Sequence, residues 1–292
     1  MSETAHRLLV IGASGRVGRL LSAHWARAGA PVCLQTRGDP VRAALASLRW
    51  APLEDGPAAL ARVMPGTDRP AAMLVLAGVT PWSPGGGDVA LNALLATACL
   101  EAAEAAGIGR VLLASSASVY GGGRVVPWRE EEATGPPASA YGVAKREMEA
   151  VGAAWRARGL SVCALRIGNV AGADALFTNA QREGLHFIDR FASGGGPVRS
   201  YIGPVSLARV IEALALAPEL PAALNVAAPA PVAMADLARA AGGDWRWRPA
   251  PADAVEHFTL DCTALTARVH FAPAESTAAE MVAQWRACRG VP

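Results

Sequence analysis

Tyr141 and Lys145 stand four residues apart in Ala-Tyr-Gly-Val-Ala-Lys-Arg. On a helix that spacing puts both on one face. An ammonium beside a phenol draws the phenol's pKa down from about 10 toward working pH, which makes it a usable general acid or base. The pair gains meaning from what precedes it. The run Gly12-Ala-Ser-Gly-Arg-Val-Gly18 directly follows the apolar Leu8–Ile11. Glycines so spaced permit a tight turn and let backbone approach a pyrophosphate, and a helix beginning there offers amide donors and the positive end of its dipole. Gly12, Ser14, Gly15, Arg16, Val17 and Gly18 are thus cofactor candidates.

A second apolar run ends in Gln35-Thr36-Arg37. A site for NAD usually places an acid there, on the ribose 2′-hydroxyl. An arginine can instead hold a 2′-phosphate through paired charge-assisted hydrogen bonds. The sequence therefore predicts NADP(H) preferred over NAD(H), read by Arg37 with Arg42 as a helper. A third run closes in Ala114-Ser-Ser116-Ala-Ser118-Val-Tyr120-Gly121, with Ser116 standing 25 positions before Tyr141.

These groups need a scaffold, and the hydrophobic pattern supplies one. Strands are expected at Leu8–Ile11, Val32–Thr36, Ala72–Ala77, Val111–Ser115 and Ser161–Ile167, with a short one near Arg49–Leu53. Helices are expected at Val17–Ala28, Pro40–Leu48, Pro57–Met64, Val89–Ala106 (ended by Gly107) and Tyr141–Arg158. Such nearly all-apolar strands alternating with helices predict an α/β, doubly wound parallel sheet of Rossmann type. Beyond Gly172 the pattern is mixed, with helices at Leu207–Leu216, Met234–Ala241 and Ser276–Arg289 and a strand at Ala223–Val226. We divide the chain into a dinucleotide-binding domain over 1–172, with 200–228 returning to it, and a small mixed α/β substrate lobe over 173–199 and 229–292.

Among 292 residues, 52% are hydrophobic and 18% charged, with a net charge of +2. That composition excludes a disordered chain and lacks the clustered basic surface of a nucleic-acid binder. The five cysteines form no C-x-x-C pair, and neither they nor the scattered His6, His24, His186, His257 and His270 have metal spacing. The start of the chain lacks a signal-peptide pattern and no apolar stretch would span a bilayer. A cytoplasmic protein with no membrane partner is expected. Trp245-Arg-Trp-Arg248 on a strand would put both tryptophans on one face and both arginines on the other, for lobe packing or an oligomer edge.

Taken together, the glycine turn, Leu76-Ala77-Gly78, Asn92, the Ser-Ser-Ala-Ser-Val-Tyr-Gly stretch, Tyr-Gly-Val-Ala-Lys, Leu165-Arg-Ile167-Gly-Asn169, Arg199-Ser-Tyr-Ile202 and Leu224-Asn-Val226 resemble the extended short-chain dehydrogenases/reductases, the group of NAD(P)-dependent sugar epimerases, dehydratases and reductases. The resemblance covers most of the chain, with its motifs in order. It implies that Tyr141 exchanges a proton with a substrate oxygen, that Ser116 hydrogen-bonds the same oxygen, and that Lys145 binds the nicotinamide ribose and depresses the Tyr141 pKa. It implies that Leu76, Ala77, Gly78 and Ile167 line the cofactor, that Asn92 braces backbone, and that Thr80, Asn169 and Arg199 meet substrate. Relatives often dimerise through two helices, here Val89–Ala106 and Tyr141–Arg158.

The chain also departs from the pattern. Ala117 and Ser118 follow Ser116 where sugar dehydratases carry an Asp-Glu pair, which argues against a 4,6-dehydratase. Gly168 replaces a bulkier residue and the stretch from Asn169 to Arg199 is short, so a nucleotide sugar is not assured. The expected function is an NADP(H)-dependent reductase or epimerase of a sugar or nucleotide sugar. A dehydrogenase of a smaller substrate and a non-catalytic NADP(H)-sensing protein remain as alternatives.

Overall fold

A computed structural model describes residues 8–38, 44–64, 69–81, 87–132, 135–178 and 185–289. Seven parallel strands form the central sheet: β1 (Leu8–Ile11), β2 (Val32–Thr36), β3 (Ala46–Arg49), β4 (Ala72–Val75), β5 (Arg110–Ser116), β6 (Ser161–Ile167) and β11 (Ala223–Val226). Their spatial order is β11-β6-β5-β4-β1-β2-β3. The chain therefore winds outward in both directions from the seam between β1 and β4, and a crevice opens over the carboxyl ends of those two strands. In open sheets of this kind, that seam is where ligands bind.

The inner strands are mainly apolar because both faces are covered. Leu8 and Val10 point into one core, and Leu9 and Ile11 into the other. Helices α1 (Arg16–Ala28), α5 (Pro204–Leu216), α6 (Met234–Ala241) and α7 (Ala278–Arg289) pack together on one side. Helices α2 (Pro57–Val63), α3 (Leu91–Ala105) and α4 (Ala140–Ala157) pack in sequence on the other.

One expected element differs. Ala46–Arg49 is the edge strand β3, not the end of a helix over Pro40–Leu48 and not a strand near Arg49–Leu53. Residues 39–43, with Arg42, lie outside the described residues. β3 buries only Leu48 of its four side chains, so it carries no apolar run to betray it.

The remaining strands are short. β7 (Asn169–Val170) pairs with β10 (Tyr201–Ile202), and β9 (Val198–Arg199) pairs with both β12 (Val232–Ala233) and β14 (His257–Phe258). β8 (Leu185–Arg190) pairs in parallel with β13 (Asp244–Pro249). Trp245 and Trp247 do share one face of β13, with ring centroids 5.0 Å apart and edge-on.

Candidate active site

Gly12 opens the crevice at φ +83°, a left-handed conformation that favours glycine. A Cβ on it would lie 2.4 Å from the Ala77 nitrogen, so the close approach of the turn to the end of β4 admits no side chain. The Gly12 N–H donates to Gln35 Oε1 at 3.0 Å, and the Gln35 amide reaches the Trp50 carbonyl. Leu76 and Ala77 N–H both donate to the Ile11 carbonyl, at 2.8 and 3.0 Å. Helix α1 then starts from Gly15 with no side-chain cap and no acid in its first turn. Its N-terminal amides are open to an anion, and Ser14, Gly15 and Arg16 are exposed around them. The residues of this turn fit a dinucleotide's pyrophosphate.

Ser116 ends β5 and begins a short 3-10 turn, where its Oγ accepts from Ser118 N–H at 3.1 Å. Tyr141 enters α4 just after the N-cap Ser139, whose Oγ accepts from Gly142 N–H at 3.1 Å. Gly142 lets α4 press against the turn that follows Ser116: a Cβ there would lie 2.1 Å from the Ser118 carbonyl oxygen. Ser116 Oγ also donates to Ser118 Oγ at 3.1 Å, and it stands near enough to the Tyr141 phenol to lower that group's pKa. Lys145 follows on the same face and is only 4% exposed. Its ammonium donates to the Ala114 carbonyl at 2.7 Å and lies 5.8 Å from the Tyr141 ring centroid. A Cβ on Gly78 would sit 3.4 Å from that ammonium, so Lys145 faces the end of β4. The three predicted catalytic groups therefore converge at the seam, beside Ala77 and Gly78.

Electrostatics amend one expectation. Burial pushes the Tyr141 phenol above its ordinary value, and the Ser116 hydrogen bond and the Arg16 charge only partly offset this. The net direction is thus upward, where the four-residue spacing suggested a lowering, and the Lys145 ammonium is turned to the Ala114 carbonyl. Burial lowers Lys145 itself to about 8, against an opposing pull from Glu149.

Around this centre, Asn92 braces backbone as expected: its amide donates to the Val79 and Val89 carbonyls, and its Oδ1 accepts from Val79 N–H. Arg37 is exposed just past β2. Ile167 is buried at the end of β6, and Thr80 is half-buried. Asn169 donates to Asp174 at 3.3 Å, and Asp174 also accepts from Tyr201. Burial raises the Asp174 carboxyl to about 6. The Arg199 guanidinium donates to the carbonyls of Val198, Val255 and Glu256 at 2.6–2.9 Å.

Sequence reasoning missed Gln35, Arg16's influence on Tyr141, and Glu149. One signal was available: Lys145 is the only lysine in the chain, every other such cation being arginine. That singled out α4 as a place where a compact ammonium is required. Among the described residues no group of acids, histidines and cysteines could hold a metal ion. No helix among them is long and apolar enough to cross a membrane.

Residues 8–202 match the NAD dependent epimerase/dehydratase family. Three solved structures share the fold. A short-chain dehydrogenase/reductase superfamily protein from Agrobacterium tumefaciens with bound NAD aligns with TM-score 0.75 at 21% identity, over 97% of this chain and 96% of that one. The Thermus thermophilus UDP-glucose 4-epimerase complexed with NAD gives 0.73 at 21%, over 98% and 100%. MoeE5 in complex with UDP-glucuronic acid and NAD gives 0.72 at 23%, over 96% and 98%. No curated protein matches the sequence.

Proposed function

Because the chain belongs to the NAD dependent epimerase/dehydratase family, NAD(P)-dependent enzymes of the extended short-chain dehydrogenase type, we propose that it is an NADP(H)-dependent oxidoreductase working at a carbonyl/carbinol centre of a sugar or nucleotide sugar, as a reductase or an epimerase. The observation that carries this reading is the meeting of Ser116, Tyr141 and Lys145 at the β1–β4 seam, above a glycine turn with open amides.

The turn residues Gly12 to Gly18, with Leu76, Ala77, Gly78 and Ile167, hold the dinucleotide. A bound nicotinamide supplies hydride exchange with the substrate carbon. Tyr141 Oη moves the proton on the substrate oxygen, and Ser116 Oγ holds that oxygen against it. A phenol kept protonated through neutral pH by burial is suited to donate, which favours reduction of a carbonyl. Lys145 binds the nicotinamide ribose as an ammonium. Thr80 and Asn169 contact substrate. Arg37 binds the 2′-phosphate; the neighbours named above hold NAD, so NADP preference is a proposal specific to this chain. The protein works in the cytoplasm, as a homodimer through α3 and α4, where Leu94 and Val143 are exposed.

Arg199 favours a second reading. Its donors already face three backbone carbonyls, which suits a smaller substrate without a diphosphate.

Tyr141→Phe tests the reading. Turnover should fall by about a thousandfold or more while NADPH affinity stays within about twofold; undiminished kcat refutes it. Net cofactor oxidation with a keto-sugar identifies a reductase, and interconversion of epimers without it identifies an epimerase.

A further inference from the structure

Further along the same face of α4 lies a second set of polar groups that the reaction outlined above does not use. Glu149 is one helical turn beyond Lys145. Its carboxylate accepts from Ser115 Oγ at 2.5 Å and from Arg166 Nη2 and Nε at 2.8–3.3 Å. The side chains of Arg166 and Glu149 are only 8% and 13% exposed. Arg166 continues to the Tyr120 hydroxyl at 3.0 Å and the Glu130 carbonyl at 2.6 Å. Tyr120 donates to Asn225 Oδ1 at 2.7 Å, on β11. One carboxylate thus ties α4 to β5 beside Ser116 and to β6 beside Ile167.

We propose that Glu149 is a positioning residue of the active site: through Ser115 and Arg166 it locks α4 in register with β5 and β6, and it sets a carboxylate one helical turn from the Lys145 ammonium. This rests on the catalytic reading of Ser116, Tyr141 and Lys145 given above.

The geometry makes both halves concrete. Ser115 and Ser116 are consecutive on β5 and point to opposite sides of the strand. A tie at Ser115 therefore fixes the strand at the point where Ser116 leaves it for Tyr141. Lys145 carries the rest of the argument. It is packed by Tyr141 from its own helix, by Gly78 at the end of β4, and by the Ala114 carbonyl of β5. Glu149 is the charge that favours its protonated form, against burial. The other charges nearby act elsewhere: Arg16 on Tyr141, and Arg166 on Glu149 and Tyr120. A buried ammonium with one compensating carboxylate loses its proton readily once that carboxylate is neutralised.

Because Lys145 is the only lysine, uniform ¹³C-lysine labelling of the full chain gives one side-chain Cε signal in NMR, whose shift against pH reports this group alone. No substrate is needed. In the unaltered protein the midpoint should fall near 8. Glu149→Gln keeps an acceptor for Ser115 and removes the charge; its midpoint should drop by about one unit or more. Glu149→Asp keeps the charge on a shorter stem and should drop less. A folded Glu149→Gln protein with an unmoved midpoint overturns the proposal.

Should Glu149→Gln fail to fold, leaving Arg166 buried without its partner, Glu149→Asp keeps the ion pair and draws the carboxylate back from Lys145. A smaller downward shift is expected there, and an unmoved midpoint again overturns the idea. Ser115→Ala checks the mechanical half. The Tyr141 phenol should titrate higher, as read by tyrosinate absorbance against a Tyr141→Phe control, because a loosened Ser116 no longer bonds it. An unmoved phenol overturns that half. These titrations are independent of turnover. A shift in Lys145 without activity on any sugar would sink the proposed function and leave only the link from Glu149 to Lys145; activity with no shift would sink that link and leave the function.

Discussion

At the β1–β4 seam, backbone meets backbone: a side chain on Gly12 would collide with Ala77, and the Gly12 amide is held by Gln35. The outer lobe is assembled differently. There Val198–Arg199 gathers Val232–Ala233 on one side and His257–Phe258 on the other, and Trp128 pairs with Leu260. Each lobe strand is two to six residues long, and much of its packing is side chain on side chain. The seam is set by close backbone approach, which admits no side chain at Gly12 or Gly18. The lobe is set by distant packing, which can readjust. Under the function proposed above, the chemistry belongs to the seam and the choice of substrate to the lobe.

The sharpest way to break this contrast is Gly12→Ala. The substitution forces a left-handed residue, at about 1–3 kcal/mol, and an overlap with Ala77 costing about 1–3 kcal/mol more. NADPH binding should be lost and the melting temperature lowered, as read by fluorescence titration and thermal unfolding. A variant with both unchanged would show the seam to be as adaptable as the lobe.

Next in size is Arg37→Ala. It should weaken NADPH by about 10- to 100-fold, about 1.4–2.7 kcal/mol, and leave NADH unchanged. Equal loss of both cofactors would place Arg37 in the structure of the seam and not in its choice of ligand. Tighter binding of NADH than NADPH by the unaltered protein would refute the NADP preference outright.

A smaller effect follows from Lys145. Its pKa is lowered to about 8, so the ammonium is present below that pH and disappears as pH rises through it. Turnover at saturating substrate should be level near neutrality and about tenfold lower per pH unit well above 8. A profile flat to pH 10 would mean that the charge on Lys145 is not needed.

The contrast also explains what the sequence could reveal. Leu8–Ile11, Val32–Thr36 and Ala223–Val226 are recognisable because both sheet faces bury them, leaving mainly apolar runs. The glycine turn and the Tyr–Lys spacing are local patterns, readable without knowing what they touch. β3 was hidden because an edge strand exposes most of its side chains, and its alanine and leucine imitate a helix. Gln35 and Glu149 were hidden for another reason: each matters only through groups on other elements, the Gly12 amide for one, Ser115 and Arg166 for the other. The direction of the Tyr141 pKa also depended on burial, which four-residue spacing does not encode. Arg199, expected to meet substrate, also donates to three of the chain's own carbonyls, contacts that its position in the sequence does not encode.

The mildest test comes from the lobe. Trp247 is 37% exposed, meets Trp245 edge-on and lies over Gly196, where a Cβ would come within 2.9 Å of its ring. Ile188 lies on the same side. Truncating a fully buried tryptophan costs about 3–5 kcal/mol; with a third of this ring in water, Trp247→Ala should cost about 1–2 kcal/mol. In a chain of this size that lowers the melting temperature by about 2–8 °C. NADPH affinity should stay within about twofold, since none of these contacts reaches the glycine turn. Substrate KM is free to move, because the strand belongs to the lobe that would hold substrate. If NADPH binding weakened as much as stability, the lobe and the seam would be one cooperative unit, and the division of labour between fixed chemistry and adjustable recognition would fail.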